Sequence, residues 1–368
     1  MSVFFPRIVR IDATWRCNLN CKHCQTGMFR GDNHPTDLDL VELKNLYDQL
    51  ADLGTEDIIF LGGEPLLRKD LPQQLEYLKS LGIKSGITTN GLLIKEEIAD
   101  YLMNTTETSV TVSLDGPDKE THEYIRGTGT FQKAVTGLER VLGFRSENSP
   151  VRIGISSVLN QNNIFKAEEF LDLAKNLKVD YLILSAVHRV GNAREHWDNL
   201  SIPTKDLLHV GEKLVSKVLS DPNLPEIQMN FLTPIFVDYL RNVKQIPANY
   251  EPKIDIGSFY ECYIQCDGKV FPSQQCSEMF PESLHGIKNF DIKFEENSVK
   301  NRRFIDIWLG NDFEKYRQLI QQKKHIKNYN SCSNCKFSKT YCMPSPKAYL
   351  MNQSDPYSIC TEILNKSV

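Results

Sequence analysis

The stretch IVRIDATWRCNLNCKHCQT, from Ile8 to Thr26, decides how the rest of this sequence is interpreted. Within it, Cys17, Cys21 and Cys24 form a C-x3-C-x2-C array directly after a short β-branched run. Three thiolates can hold an iron–sulfur cluster, but a cluster of four irons asks for four protein ligands. The array therefore predicts one iron without a protein thiolate, where a small molecule can bind. A zinc knuckle is the alternative, although zinc sites favour C-x2-C pairs with a second pair further along the chain.

The ten cysteines are unevenly distributed over the 368 residues. Three lie in the array, none lies between Cys24 and Cys262, and seven lie from Cys262 onward. The N-terminal segment MSVFFPRIVR has no long apolar region and no small-residue cleavage site, so we expect no signal peptide and a cytoplasmic protein. In that compartment cysteines are more often metal ligands than disulfide partners. We therefore predict two metal-binding regions on either side of a cysteine-free scaffold.

The overall composition argues against two classes of function. The formal net charge of −4 gives no electrostatic basis for binding nucleic acid. The longest apolar runs, such as DIIFL at residues 57–61, are far shorter than the ~20 residues of a membrane-spanning helix. We expect neither a nucleic acid nor a membrane among the partners.

From residue 7 to about 190, short β-rich runs alternate with longer amphipathic runs. The predicted strands cover residues 7–12, 57–61, 84–88, 109–114, 152–159 and 181–185. The helical patterns between them cover residues 38–53, 71–81, 95–103, 131–144 and 166–177, and the first carries leucines at three- and four-residue spacing. Six such alternations predict an α/β fold with a parallel sheet, either doubly wound or a full or partial barrel. In both architectures ligands bind at the carboxyl ends of the strands.

Polar and glycine-rich turns follow three of the predicted strands. They are Gly62-Gly63-Glu64-Pro65 after the second strand, Thr88-Thr89-Asn90-Gly91 after the third, and Ser113-Leu114-Asp115-Gly116 at the end of the fourth. Glycine lets a ligand approach the backbone closely, and Glu64 offers a carboxylate to an ammonium group. Arg126 follows in YIRGTGTF, which we interpret as a flexible loop. Each turn alone is typical of ordinary turn chemistry. Together, at successive strand ends behind a three-cysteine loop, they indicate a binding site.

In order and approximate spacing, the three cysteines and these strand-end segments resemble the core of the radical S-adenosylmethionine (SAM) enzymes. The resemblance implies a partial (β/α)6 TIM-type barrel, whose cysteines hold a [4Fe–4S] cluster with an open iron chelated by the amino and carboxylate groups of SAM. It also implies the residues that surround SAM: Gly62, Gly63 and Glu64 at the methionyl ammonium, Ser113 and Arg126 at the carboxylate or ribose, Thr89 and Asn90 near the same pocket, Asp115 in the same SLDG segment, His23 against the adenine, and Ser156 beside the adenosine.

The pattern changes after residue 190. A GNA turn at residues 191–193 precedes a predicted helix at residues 204–219, with Thr204 as its N-cap. This arrangement resembles the bridge that leads into the C-terminal cluster domain of the SPASM branch of the superfamily. We therefore predict a barrel at residues 1–190, a helical bridge at residues 191–252 and a small Cys-rich, SPASM-like iron–sulfur domain at residues 253–368.

The C-terminal cysteines resemble the SPASM pattern but depart from it in two places. Ser273 stands where a cysteine usually follows the hairpin-like turn at Asp267-Gly268, and no cysteine follows Cys342 closely. We favour one auxiliary [4Fe–4S] cluster on Cys332, Cys335, Cys342 and Cys360, and a second, incomplete one on Cys262, Cys266 and Cys276. The alternatives are one auxiliary cluster on Cys276, Cys332, Cys335 and either Cys262 or Cys266, or a zinc ribbon. With one cluster, Cys342 or Cys360 is free to donate a hydrogen atom.

The resemblance implies reductive cleavage of SAM to a 5′-deoxyadenosyl radical that abstracts a hydrogen atom from the substrate. Auxiliary clusters fit a net oxidation such as a crosslink or a dehydrogenation, whereas a free cysteine fits epimerisation. Because members with this C-terminal domain commonly act on peptides, we expect a peptide substrate, with a sugar, nucleoside or amino acid as the alternative.

The resemblance also implies a low-potential electron donor of the flavodoxin or ferredoxin type. Since the sequence starts directly on its first predicted strand, we expect recognition of a leader peptide to need a separate protein or a surface groove. A non-catalytic iron–sulfur or zinc protein is the remaining alternative. The strand-end residues argue against it, because an electron carrier needs no SAM pocket.

Overall fold

A computed structural model describes residues 5–29, 36–247, 259–277, 292–322, 333, 335–337, 360 and 363. Two predicted cluster ligands, Cys332 and Cys342, lie outside these residues. The strands of the described part are β1 (Ile8–Thr14), β2 (Asp57–Gly62), β3 (Lys84–Thr89), β4 (Ser109–Ser113), β5 (Arg152–Leu159), β6 (Tyr181–Ala186), β7 (Glu226–Met229), β8 (Glu261–Ile264) and β9 (Val270–Phe271). They form one sheet in the order β7-β6-β5-β4-β3-β2-β1-β8-β9.

Neighbouring strands are parallel from β7 across to β8, and β9 pairs antiparallel with β8. Successive parallel strands need long crossover connections, which helices supply here. The helices are α1 (Leu40–Asp52), α2 (Leu71–Ser80), α3 (Glu96–Thr105), α4 (Lys119–Arg126), α5 (Phe131–Gly143), α6 (Ala167–Leu177), α7 (Trp197–Leu200), α8 (Thr204–Ser220), α9 (Pro234–Asn242), α10 (Gln274–Ser277), α11 (Phe304–Trp308) and α12 (Asn311–Gln322). The six predicted β–α alternations and the parallel sheet are confirmed.

The sequence of β1 shows how the sheet separates a hydrophobic core from a polar interior. Val9, Ile11 and Ala13 pack into the main hydrophobic core, which also contains the apolar faces of the surrounding helices. Successive side chains of a strand point to opposite faces, so Asp12 and Thr14 lie on the other face, inside the curved sheet. The carboxyl end of β1 leads directly into the three-cysteine loop.

Local signals fix the ends of the first helix. Asp39 accepts hydrogen bonds from the backbone N–H groups of Val41 and Glu42, and the Glu42 side chain accepts one from the Asp39 N–H in return, which is a capping box. The helix stops before Gly54, whose φ of +80° suits glycine. Gly54 directly follows the helical pattern that the sequence predicts at residues 38–53.

Three local predictions are wrong. The predicted loop around Arg126 is in fact the end of α4, an eight-residue helix capped by Asp118. Thr204 is the first residue of α8 rather than its N-cap, a position that Pro203 occupies. Strand β7 lies within the predicted helical bridge, where EIQM is too short to show a strand pattern.

The C-terminal region continues the same sheet. Strand β8 pairs with β1, with Cys262 opposite Val9, and the predicted hairpin turn at Asp267-Gly268 joins β8 to β9, with Gly268 at a φ of +90°. Aromatic rings pack beneath this hairpin, and Phe294 contacts the rings of Phe271, Phe313 and Tyr316. No helix in the described part of the chain is both long and apolar enough to cross a bilayer.

Candidate functional site

The three cysteines of the array lie on one loop at the carboxyl end of β1. Cys21 is buried, whereas Cys17 and Cys24 are half-buried. Burial raises the pKa of Cys21 to about 12, Arg126 opposes this rise, and the nearby Cys24 and Cys17 add to it. No group of three or more His, Cys, Asp or Glu side chains among the described residues is arranged to hold a single metal ion. A four-iron cluster takes one thiolate per iron, so its ligands need not converge on one point.

Asp115 links the cysteine loop to the ends of β4 and α4. Its Oδ2 atom is 2.6 Å from Nε2 of His23 and accepts a 2.6 Å hydrogen bond from Nε of Arg126. Its Oδ1 atom accepts a 2.8 Å hydrogen bond from the Val158 N–H. Although Asp115 is fully buried, the Arg126 guanidinium and His23 hold the pKa of this carboxyl well below its usual range. Three predicted site residues, His23, Asp115 and Arg126, therefore form one connected group.

Glu64 links the ends of β2 and β3. Its Oε1 atom accepts hydrogen bonds from the Thr89 hydroxyl at 2.7 Å and the Leu66 N–H at 3.1 Å, and its Oε2 atom accepts one from the Asn90 N–H at 2.8 Å. Burial raises the pKa of Glu64, and the bonds from Asn90 and Thr89 oppose the rise. The Asn90 amide reaches the loop, where Nδ2 lies 2.7 Å from Oδ1 of Asn18 and 4.0 Å from Sγ of Cys17.

The two glycines of the GGEP turn pack against the chain that enters the loop. A Cβ atom on Gly63 would lie 2.1 Å from the carbonyl oxygen of Arg16, and one on Gly62 would lie 2.5 Å from that of Thr14. Gly62 also has a φ of +108°, which L side chains rarely adopt. Only glycine fits both positions, so the turn and the loop hold each other in place.

The remaining predicted residues of the core occupy one strand-end row. Ser113 and Ser156 are paired across β4 and β5, and both are half-buried. Because side chains alternate along a strand, the two serines lie on the opposite face from Val112 and Ile155, which pack into the core. Asp12 on β1 lies on the same face as the serines. The structure therefore brings all the predicted core residues to one edge of the sheet, and their contacts with SAM stay predictions.

Sequence reasoning missed the role of the GNA turn at residues 191–193. The Asn192 N–H donates to the Cys24 carbonyl at 2.9 Å, and Nδ2 of Asn192 donates to the Cys21 carbonyl at 3.0 Å. Gly191 packs so closely that a Cβ atom would lie 2.3 Å from the carbonyl oxygen of Cys24. The one signal in the sequence was Gly191. The structure shows why glycine stands there, because its φ is +51°.

The described C-terminal cysteines do not share one environment. Cys262 and Cys276 are fully buried, and burial raises the pKa of Cys262. Sγ of Cys276 lies 3.3 Å from the Ser273 hydroxyl, so the thiol is beside the position where the SPASM pattern has its cysteine. Cys266 is buried near Asp12. Cys335 is also buried, and Cys360 is half-buried beside Thr233. The ligand sets of the auxiliary clusters stay predictions.

Two family models match this sequence. The Radical SAM superfamily matches residues 13–174, which span the cysteine loop and the strand-end residues, and the Iron-sulfur cluster-binding domain, SPASM, matches residues 256–336. The chain belongs to the radical SAM superfamily. Its SPASM region places it in the branch with auxiliary iron–sulfur sites. The cofactors of this radical SAM protein are therefore SAM, the [4Fe–4S] cluster that binds it, and auxiliary iron–sulfur clusters. The predicted family and the predicted cofactors are confirmed.

Curated relatives of this radical SAM protein have different names. The Fe-coproporphyrin III synthase of Methanosarcina barkeri is 35% identical over 173 residues, which are 47% of this chain and 42% of that protein. The AdoMet-dependent heme synthase of the same organism is 26% identical over 96% of both chains. The mycofactocin maturase MftC of Mycobacterium tuberculosis is 29% identical over 58% of this chain and 52% of that protein. The matches to the first and third of these span about half of each relative.

Among solved structures, SuiB of Streptococcus suis bound to S-adenosylmethionine superposes with a TM-score of 0.70 at 16% identity, over 97% of this chain and 77% of that one. This likeness shows the fold, and the predicted partial barrel followed by a SPASM-like domain is confirmed. The residues of the site also fit the cofactors. Cys17, Cys21 and Cys24 lie on one loop, and Arg126 lies beside Cys21. Gly62 and Gly63 pack against the chain that enters this loop, so backbone rather than side chains of the GGEP turn lies there.

Proposed function

We propose that this radical SAM protein cleaves SAM reductively and abstracts a hydrogen atom from a substrate. When bound, the cluster and SAM supply a 5′-deoxyadenosyl radical, and the protein must hold the reacting groups and exclude water. Cys17, Cys21 and Cys24 would hold the cluster, and Gly62, Gly63 and the strand-end serines would line the SAM pocket. One observation carries the proposal: the loop is fixed on three sides, by Asp115, by Asn90 and by Asn192.

The proposed substrate is a peptide. A relative named mycofactocin maturase and the fold of SuiB, which has also been crystallised with its precursor peptide SuiA, support this class.

A tetrapyrrole is the second candidate, because matches over nearly the full length of the chain include heme synthases. An open cavity of about 370 Å³ next to the loop is lined by Arg16, Arg68 and Lys69 as well as Asp37 and Asp70. Basic side chains of this kind can bind carboxylates. Arg68, however, already donates to Asp70 and to the carbonyls of Ala13 and Leu38. The cavity therefore offers fewer free cations than its composition indicates.

The first experiment tests SAM cleavage. The chain is reconstituted anaerobically with iron and sulfide, reduced with dithionite, and assayed for 5′-deoxyadenosine. We expect a brown protein that releases 5′-deoxyadenosine, and the Cys17→Ala/Cys21→Ala/Cys24→Ala variant should release none. Iron analysis of that variant counts the auxiliary clusters, with about eight irons for two [4Fe–4S] clusters and about four for one. A colourless, zinc-loaded protein without cleavage would refute the proposal.

A second experiment separates the substrate classes. Peptides encoded beside the gene are co-expressed with the wild-type chain or with the triple variant, and their masses are compared. In parallel, the reconstituted protein is incubated with Fe-coproporphyrin III and SAM, and the tetrapyrrole is analysed by mass spectrometry. A cysteine-dependent mass change in a peptide supports the first class, and one in the tetrapyrrole supports the second. A flavodoxin or ferredoxin is the proposed electron donor and can replace dithionite in both assays.

A further inference from the structure

The guanidinium of Arg126 has two different neighbours. On one side, its Nε atom donates to Oδ2 of Asp115 at 2.6 Å. On the other side, its Nη1 atom lies 4.0 Å from Sγ of Cys21, the most buried thiol of the array. The side chains of Arg126 and Asp115 are 10% and 0% exposed, so water screens neither charge well. A buried ion pair therefore stands directly beside one predicted cluster ligand.

Asp115 has no exposed carboxylate oxygen to offer to SAM, because its side chain is 0% exposed. Oδ2 contacts both Arg126 and His23, and Oδ1 accepts the Val158 N–H. The backbone is fixed as well, because the Asp115 N–H donates to Nδ1 of His122 and its carbonyl accepts from Nδ2 of Asn163. Asp115 is thus a fully enclosed carboxylate whose contacts all lie within the protein.

We propose that Asp115 and Arg126 form a charge-compensated pair that sets the reduction potential of the cluster on Cys17, Cys21 and Cys24. In this pair Asp115 is a positioning residue rather than a SAM ligand, and it holds Arg126 against the thiolate of Cys21. The inference rests on the proposed function, because it requires a cluster at these cysteines.

The sign of the effect follows from the charges. Reduction of a [4Fe–4S]2+ cluster to the 1+ state adds one electron, supplied from outside the protein, and so adds one negative charge. A nearby cation favours this change and a nearby anion opposes it. In the wild-type protein Arg126 and Asp115 together contribute no net charge. Removing either partner alone should therefore shift the potential in opposite directions.

The test is a set of reduction potentials. Asp115→Asn, Arg126→Gln, the double variant and Arg126→Lys are reconstituted in the full chain and titrated at pH 8.5 with titanium(III) citrate, while the reduced cluster is followed by electron paramagnetic resonance. Signals from auxiliary clusters are identified in the Cys17→Ala/Cys21→Ala/Cys24→Ala variant. We expect a less negative potential for Asp115→Asn and a more negative one for Arg126→Gln. The double variant and Arg126→Lys should stay close to the wild type.

Glu226→Gln is the matched control. It breaks the ion pair of Glu226 with Arg152, 2.7 Å long, at the amino ends of β7 and β5, the opposite edge of the sheet from the cluster loop. Its potential should equal that of the wild type. Circular dichroism and iron content show which variants fold and bind a cluster, and if Asp115→Asn fails to fold, the comparison of Arg126→Gln with Arg126→Lys still tests the charge.

Three patterns of potentials would overturn the inference: equal potentials in all variants, shifts of Asp115→Asn and Arg126→Gln in the same direction, or an Arg126→Lys potential equal to that of Arg126→Gln. Loss of iron without a change in potential would mean a purely structural role, which also overturns it. Failure of the wild-type chain to bind a cluster on the three cysteines would instead refute the proposed function. The two failures are therefore distinguishable.

Discussion

Asp12 on β1 provides the most quantitative prediction. Only 1% of its surface is exposed, and its Oδ2 atom accepts hydrogen bonds from the Tyr263 hydroxyl and, at 2.8 Å, from the indole N–H of Trp15. Its Oδ1 atom has no partner among the described residues. Burial raises the pKa of Asp12 from 3.8 to about 7, and Tyr263 and Trp15 oppose the rise only in part. We predict that Asp12→Asn stabilises the folded protein, and more strongly at pH 8 than at pH 5.

The expected magnitude follows from linkage. An acid whose pKa is higher in the folded state than in the unfolded state loses stability as the pH rises through the interval between the two values. One pKa unit corresponds to about 1.4 kcal/mol, so the raised pKa of Asp12 lowers the free energy of unfolding by about 2 kcal/mol at pH 5, where only the unfolded chain ionises this group, and by about 4 kcal/mol at pH 8. Asparagine keeps an oxygen for Tyr263 and Trp15 and carries no charge. The variant should therefore lack this pH dependence.

The assay is urea denaturation of the full chain under reducing, anaerobic conditions, followed by circular dichroism at pH 5 and pH 8. The advantage of Asp12→Asn over the wild type should roughly double between the two pH values. Asp52→Asn, on the exposed face of α1, controls for the loss of a carboxylate as such. An equal advantage at both pH values, or a variant less stable than the wild type at pH 8, would refute this reasoning.

Three further variants probe the loop and the C-terminal core. Gly63→Ala should lose iron at the three-cysteine site, because its Cβ would meet the Arg16 carbonyl at 2.1 Å. The control Gly143→Ala places its Cβ in open space and should keep the iron, and iron analysis after reconstitution compares the two variants. Asn192→Ala removes the hydrogen bond to the Cys21 carbonyl and should destabilise the protein by about 1 kcal/mol and speed iron release to a chelator; unchanged release would count against the role of Asn192 in holding the loop. Phe294→Ala should lower the free energy of unfolding by about 3–5 kcal/mol in urea, and a loss below about 1 kcal/mol would show that this ring is not central to the aromatic core.

The sequence predicts the six central strands and the helices after them because both carry strong periodic signals. Buried parallel strands are short apolar runs, and each following helix shows one apolar face. Elements that lack such a period escape this reasoning. Strand β7 has four residues, and α4 has a very polar sequence, KETHEYIR, which hides the helix that carries Arg126.

The site residues are predictable as a set but not as pairs. The carboxyl ends of parallel strands meet at one edge of the sheet, so Glu64, Asn90 and Asp115 are expected there from their positions alone. Which of them touch each other depends on side-chain packing between distant segments. His23 and Asp115 are 92 residues apart in the chain, and their 2.6 Å contact has no signature in the sequence around either residue.

The pairing of β8 with β1 explains how two cofactor regions can be held in register. Strand β1 leads into the three-cysteine loop, and its neighbour β8 carries Cys262 and leads to Cys266. Beyond the strands, the Leu38 N–H donates to the Cys266 carbonyl at 2.7 Å, and Arg68 donates to the carbonyls of both Leu38 and Ala13. Backbone hydrogen bonds and the Arg68 side chain thus connect the segment of Cys262 and Cys266 to the strand before the loop. Because electron transfer and substrate placement both depend on fixed distances, a shared strand pair serves this arrangement better than a linker would.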